Sequence, residues 1–149
     1  MNRFKKYLSS EIGIEFKAGL YFFTILFFYC LYRLGQCSLW ASITIMTEMI
    51  FSTYVMGYIQ VFLLGNFDEG EQFGIKEGLA SLLCSALYTV TSFILNWYDR
   101  NSIVTVAFFF YMLFCYICMF LVYKIKRDID TELLNRELEE FKKGNKKRK

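Results

Sequence analysis

The sequence predicts an all-α integral membrane protein, a four-helix bundle with a cytoplasmic C-terminal amphipathic helix. Hydrophobic residues make up 56% of the 149 residues and aromatic residues 20%. They gather in blocks of about twenty, the length that crosses a hydrocarbon core. Four such blocks fit, at about residues 18–34, 43–64, 78–97 and 103–123. Basic residues are also segregated. Arg3, Lys5, Lys6, Lys17, Lys76 and everything basic from Lys124 onward fall on one side of a four-span chain, leaving Arg33 and Arg100 on the other. The positive-inside rule then places both ends and the middle connection in the cytoplasm, and an even number of spans requires the ends to be on one side.

Residues 1–17 form an N-terminal amphipathic segment. Phe4, Tyr7, Leu8 and Ile12 can share one face of a short helix on the membrane surface, with Lys5, Lys6, Glu11 and Glu15 turned away. The first span follows, rich in Phe and Tyr, and Arg33 snorkels to the headgroups at its far end. The stretch from Gly35 to Ser38 is a tight turn, and Trp40 is an interfacial aromatic.

The second span carries Glu48 and Gln60. Its ten Leu, Ile, Phe and Val residues supply roughly −3 to −6 kcal/mol of insertion energy, whereas one acidic side chain costs about 2.5–3.5 kcal/mol. That balance predicts a helix held inside the bundle, with Glu48 facing protein or water. The connection at 65–77 holds Asp68, Glu69, Glu71 and Glu77 against a single Lys76. It lacks the alternating oxygen ligands of a Ca²⁺ loop and reads as a solvated charged loop whose acids can pair with the basic tail.

The third span has the most regular polar pattern. Gly78, Ser81, Ser85, Thr89, Ser92 and Asn96 fall within an arc of roughly 80° at helical spacing. Small hydroxylated residues in such a line let helices approach closely and hydrogen-bond across. A hydrophilic pathway uses similar residues, but no ionisable group shares this face.

The fourth span is the most apolar and runs directly into Lys124. Cys115 and Cys118 lie one turn apart on it, but no basic neighbour lowers a thiol pKa and no other ligands accompany them. The five cysteines, Cys30, Cys37, Cys84, Cys115 and Cys118, are too scattered for a disulfide framework and read as small hydrophobes. No cofactor and no metal is expected. With no histidine, no nucleophile motif, no phosphate loop and no paired intramembrane carboxylates, the chain does not read as an enzyme.

Residues 124–149 form a cytoplasmic helix and basic tail. Ile125, Ile129 and Leu133 share one side, whereas Leu134, Leu138 and Phe141 gather on another. A break near Asp130 would explain the change of face, and the spacing leaves open whether the helix is continuous or broken there. An apolar stripe on such a helix is covered by the membrane, by a second copy in a homo-oligomer, or by a protein partner's groove. Ile129, Leu133, Leu134, Leu138 and Phe141 are the candidate partner-binding residues. The basic end adds attraction to anionic membrane lipids. Direct nucleic-acid binding is not expected, because no recognition motif is present.

Six patches carry a resemblance: Glu11-Ile-Gly-Ile-Glu-Phe-Lys17, Met46-Thr-Glu-Met49, Tyr58-Ile-Gln60, Asn66-Phe-Asp-Glu69, Asn96-Trp-Tyr-Asp-Arg100 and Tyr123-Lys-Ile-Lys-Arg-Asp-Ile-Asp130. Their order resembles a family of small four-span bacterial membrane proteins known only as domain of unknown function 3021. Some members are encoded beside LytTR-type DNA-binding regulators and restrain them. The resemblance implies a bacterial plasma-membrane protein with a regulatory partner, and supplies no active-site residue.

Two functional readings follow. One is a non-enzymatic regulatory or accessory membrane protein that holds a partner through the tail. The other is a small proton-coupled transporter, or a subunit of an exporter, in which a desolvated Glu48 binds and releases a proton. Small multidrug exporters also have four spans and a membrane glutamate. Theirs lies on the first span, however, and the long charged tail is not typical of them.

Overall fold

The computed structural model describes residues 3–65, 67, 70 and 74–146, and the side chains of those between 11 and 142. The described residues form α1 (Arg3–Gly35), α2 (Ile43–Tyr58) continuing into a π-helical turn (Ile59–Leu63), α3 (Ile75–Ile94) and α4 (Ser102–Lys146). Among the described residues, three helical segments are long and apolar enough to cross a membrane: Glu11–Gly35, Ile75–Ile94 and Ser102–Lys142. The helix α2 has 16 residues, and the five of the π-helical turn bring the combined run to about 31 Å at 1.5 Å per residue.

The expected surface helix before residue 18 is not a separate element. Helix α1 runs unbroken for 33 residues, because no proline interrupts it and its buried column passes straight through the expected boundary. Ile14, Ala18, Tyr21, Ile25 and Tyr29 are all buried, three or four residues apart, and Lys17 beside Ala18 is buried with them. Ile12 and Phe16 are both exposed on the outside of this helix.

Aromatic rings fill the core. Toward the end from which α4 leaves the bundle (the tail end), the Tyr21 ring lies 4.8 Å from that of Tyr116 and 6.5 Å from that of Tyr88, and Phe67 is 5.5 Å from Tyr116. Toward the other end, Phe28 contacts Tyr98, Phe108 and Tyr111 at centroid distances of 5.5, 5.3 and 4.9 Å. Tilted and edge-on pairs of this kind add attraction beyond simple area burial. The Tyr111 hydroxyl donates to the Thr24 carbonyl at 3.0 Å, tying α4 to α1.

The outside of the bundle is as apolar as its inside. Phe23 and Phe27 on α1, Phe51 and Val55 on α2, Leu79 and Val90 on α3, and Phe110 and Phe114 on α4 are all more than half exposed. A helix apolar all round needs a hydrocarbon environment or a larger core to cover it. Helix α2 is therefore not sequestered in the middle of the bundle as its polar residues predicted. It buries Met49, Thr53, Met56, Gly57 and Gln60 on one side and presents an apolar side outward.

The helix ends follow local rules. At the end of α1, Cys37 takes a left-handed φ of 53°, with Ser38 N–H donating to Arg33 O and Cys37 N–H to Leu34 O. At the end of α3, Asn96 takes φ 60°, with Trp97 N–H donating to Ser92 O and Asn96 N–H to Phe93 O. Both are Schellman caps in which a non-glycine residue supplies the left-handed turn. Asn96 thereby leaves the polar line of α3 and is exposed. Asn101 then caps α4, its Oδ1 accepting from Ile103 and Val104 N–H.

Candidate functional site

At the tail end, three contacts join elements distant in sequence. The Tyr58 hydroxyl donates to Glu11 Oε1, joining the end of α2 to α1. Lys17 is 2% exposed, with its ammonium 5.4 Å from the centre of the Tyr123 ring. That is within range of a cation–π attraction. Arg127 donates from Nη2 to the Gly70 carbonyl at 2.9 Å, clipping the α2–α3 connection to α4. The sequence reading treated Lys17 only as a charge. Continuing the three-to-four-residue period backward from Tyr21 would have placed it in the buried column. Asp68, Glu69 and Glu71, expected to pair with the tail, lie outside the described residues.

Beyond this clip α4 continues without a break. Of the two forms the sequence leaves open near Asp130, the helix takes the continuous one, for neither proline nor glycine occurs between Ser102 and Lys143. Thr131 Oγ donates to Arg127 O at 2.8 Å, a one-turn backbone contact that a broken helix would not offer. The two stripes are therefore two faces of one helix. At 100° per residue, Leu134, Leu138 and Phe141 fall on the same side as Phe108, Met112, Tyr116 and Phe120, which α4 buries in the bundle. Their stripe thus overhangs the end of its own bundle. Ile129 and Leu133 lie on another side, in line with the exposed Val122. All five candidate partner-binding residues are exposed, from 49% at Leu138 to 69% at Phe141.

Inside the bundle, the polar residues of α3 line up as a packing surface. Ser81, Ser85 and Ser92 are buried and Thr89 is half-buried. Among the described residues their hydroxyls bond within α3 and not across to neighbouring helices. Ser81 donates to Gly78 O, Ser85 to Ser81 O, Thr89 to Ser85 O and Ser92 to Thr89 O, all at 2.7–2.8 Å. Each hydroxyl is satisfied by the preceding turn, so small volume is what these residues give their neighbours. Gln60, in the π-helical turn, is 1% exposed, and its Nε2 meets no acceptor among the described residues. Nothing in the sequence marked that turn, whose Leu64 N–H reaches back five residues to Ile59 O.

Glu48 is half-buried and lies five residues into α2, close to the end opposite the tail. Its Oε2 accepts from the Trp97 indole N–H at 3.2 Å, joining α2 to the α3–α4 turn. A wider polar group closes the same end. The Tyr32 hydroxyl donates to Asp99 Oδ2 at 2.8 Å and accepts from Gln36 Nε2 at 2.6 Å. Arg33 donates from Nε to the Trp40 carbonyl at 3.0 Å and from Nη2 to Ser38 Oγ at 2.8 Å, and its Nη1 is 3.9 Å from Asp99. These contacts pin both turns to α1. No three Cys, Asp or Glu side chains, Cys115 and Cys118 included, converge as metal ligands among the described residues.

The arrangement is thus a polar clip at each end, an interior in which Gln60 Nε2 and the Tyr98 and Tyr116 hydroxyls lack a partner among the described residues, and an exposed apolar helix beyond one clip. Compared with models of protein families, with curated proteins and with solved structures, the chain matches none.

Proposed function

We propose that the chain is a non-enzymatic regulatory or accessory protein of the bacterial plasma membrane, crossing it four times and holding a protein partner with its cytoplasmic tail. The observation that carries this reading is the unbroken α4, 45 residues or about 68 Å long. That is more than twice the thickness of a hydrocarbon core. The continuous helix carries Leu134 about 16 Å past Tyr123, so without a bend the stripe stands off the bilayer surface. Overhanging the bundle end, Leu134, Leu138 and Phe141 offer an exposed apolar stripe that suits a partner's amphipathic helix.

The four-span reading is supported by the length of α2 with its π-helical turn and by the apolar side α2 turns outward. The segregation of basic residues supports cytoplasmic ends. The resemblance to domain of unknown function 3021 points toward a partner such as a LytTR-type regulator, restrained by being held at the membrane.

Replacing Leu134 and Leu138 together with Asp is expected to abolish co-purification of the partner from detergent-solubilised native membranes. The variant should remain in the alkali-resistant membrane fraction. Capture that survives both changes would show that the tail is not the docking element.

A further inference from the structure

Beside the first turn lies a recess of about 240 Å³ whose lining includes Tyr29, Cys30, Arg33, Leu34, Leu39 and Trp40. We propose that it is a phospholipid site, in which the recess takes the upper part of one acyl chain and Arg33 holds the phosphate. The proposal rests on the membrane reading alone and stands or falls separately from partner docking at the tail.

Three observations carry it. The walls are apolar and open on the bundle's exterior, since Leu34, Leu39 and Trp40 are 58%, 88% and 84% exposed. On α1 the column that contains Cys30 and Leu34 descends through Phe27 and Phe23, both exposed, which gives a chain leaving the recess an apolar track. Arg33 then supplies a fixed charge at the top. Its contacts with Trp40 O, Ser38 Oγ and Asp99 hold the guanidinium in place while using only part of its five donors. A cation above an apolar recess at headgroup depth matches the charge pattern of a phospholipid. A soluble phosphate compound would leave the apolar walls uncovered.

Trp40 is a built-in reporter, because the chain has only two tryptophans and the other, Trp97, is 1% exposed. The full chain carrying Trp97→Phe, in detergent micelles, is titrated with dibrominated phosphatidylglycerol while Trp40 fluorescence is followed. Saturable quenching is expected, with half-saturation shifted about tenfold upward in Arg33→Gln, the scale of a lost charge-assisted hydrogen bond. Dibrominated diacylglycerol, which lacks the phosphate, should quench wild type and Arg33→Gln alike and weakly. Inorganic phosphate in excess should leave the quenching unchanged. Quenching that is linear in lipid and insensitive to Arg33→Gln would make Trp40 an ordinary lipid-facing residue and overturn the proposal. Displacement by inorganic phosphate would overturn the acyl-chain part. Should Trp97→Phe fail to fold, the otherwise unaltered chain gives the same reading after subtraction of the Trp40→Phe signal.

Discussion

Phe108→Ala is expected to lower stability by about 3–5 kcal/mol, the range for removing a buried aromatic ring. Phe108 is fully buried, and its ring contacts Phe28 at 5.3 Å and Tyr98 at 5.1 Å. Those partners belong to α1 and to the α3–α4 turn, so the cavity opens where three parts of the chain meet. Phe28 and Tyr98 are only 5.5 Å apart and already pack on each other, which limits how far they can collapse into the space. Inside a bilayer the loss is mainly one of packing contacts, because lipid is as apolar as the core. Thermal unfolding in detergent, followed by near-ultraviolet circular dichroism, measures it. Phe108→Leu fills part of the cavity and is expected to lose less than half as much. Equal losses for the two variants would mean that the ring contacts do not hold the helices together.

Gly57→Leu is expected to separate α1 from α2. A Cβ at Gly57 would sit 3.3 Å from Ile14 Cγ2, 3.8 Å from the Ile14 carbonyl and 4.0 Å from Ala18 Cβ. Alanine needs only a small shift of the flexible Ile14 methyl, and its better helix propensity offsets part of that strain. Leucine has no room and costs about 1–3 kcal/mol as an overpacked interface. The rescue by Ile14→Ala is diagnostic. The double variant should lose less than the sum of the two single losses, as for residues in direct contact. Strict additivity would place Gly57 away from the α1–α2 seam. The Tyr58–Glu11 hydrogen bond one residue on makes the same seam visible to a second probe.

Much of this architecture can be read from the chain, because apolar blocks and helical spacing are strong signals. The turn at 35–38 and the exposed stripes on the tail follow from residue type and period alone. The boundaries do not. The expected boundary before residue 18, and the break near Asp130 that the sequence leaves open, both fall where the apolar face changes. A change of face does not by itself end a helix, and neither place holds a proline. The line of Ser81, Ser85, Thr89 and Ser92 was legible as a close-packing surface, but the direction of its hydroxyls was not. A serine can donate equally well to its own preceding turn or to a neighbour, and spacing cannot distinguish the two. Glu48 was legible as a residue needing a partner, whereas Trp97 as that partner depends on where the α3–α4 turn folds. Lys17 was missed because a basic residue beside a membrane is ordinarily read as a surface charge.

The most direct test concerns how often the chain crosses the bilayer and which way it faces. In a variant with Cys84 replaced by Ala and the other four cysteines by Ser, single cysteines are introduced in place of Leu39 and of Asn135. Intact cells are then treated with a membrane-impermeant maleimide. Four spans with cytoplasmic ends predict that the cysteine at 39 is labelled from outside and the one at 135 only after lysis. Labelling of position 135 in intact cells would contradict both the orientation and the cytoplasmic docking tail.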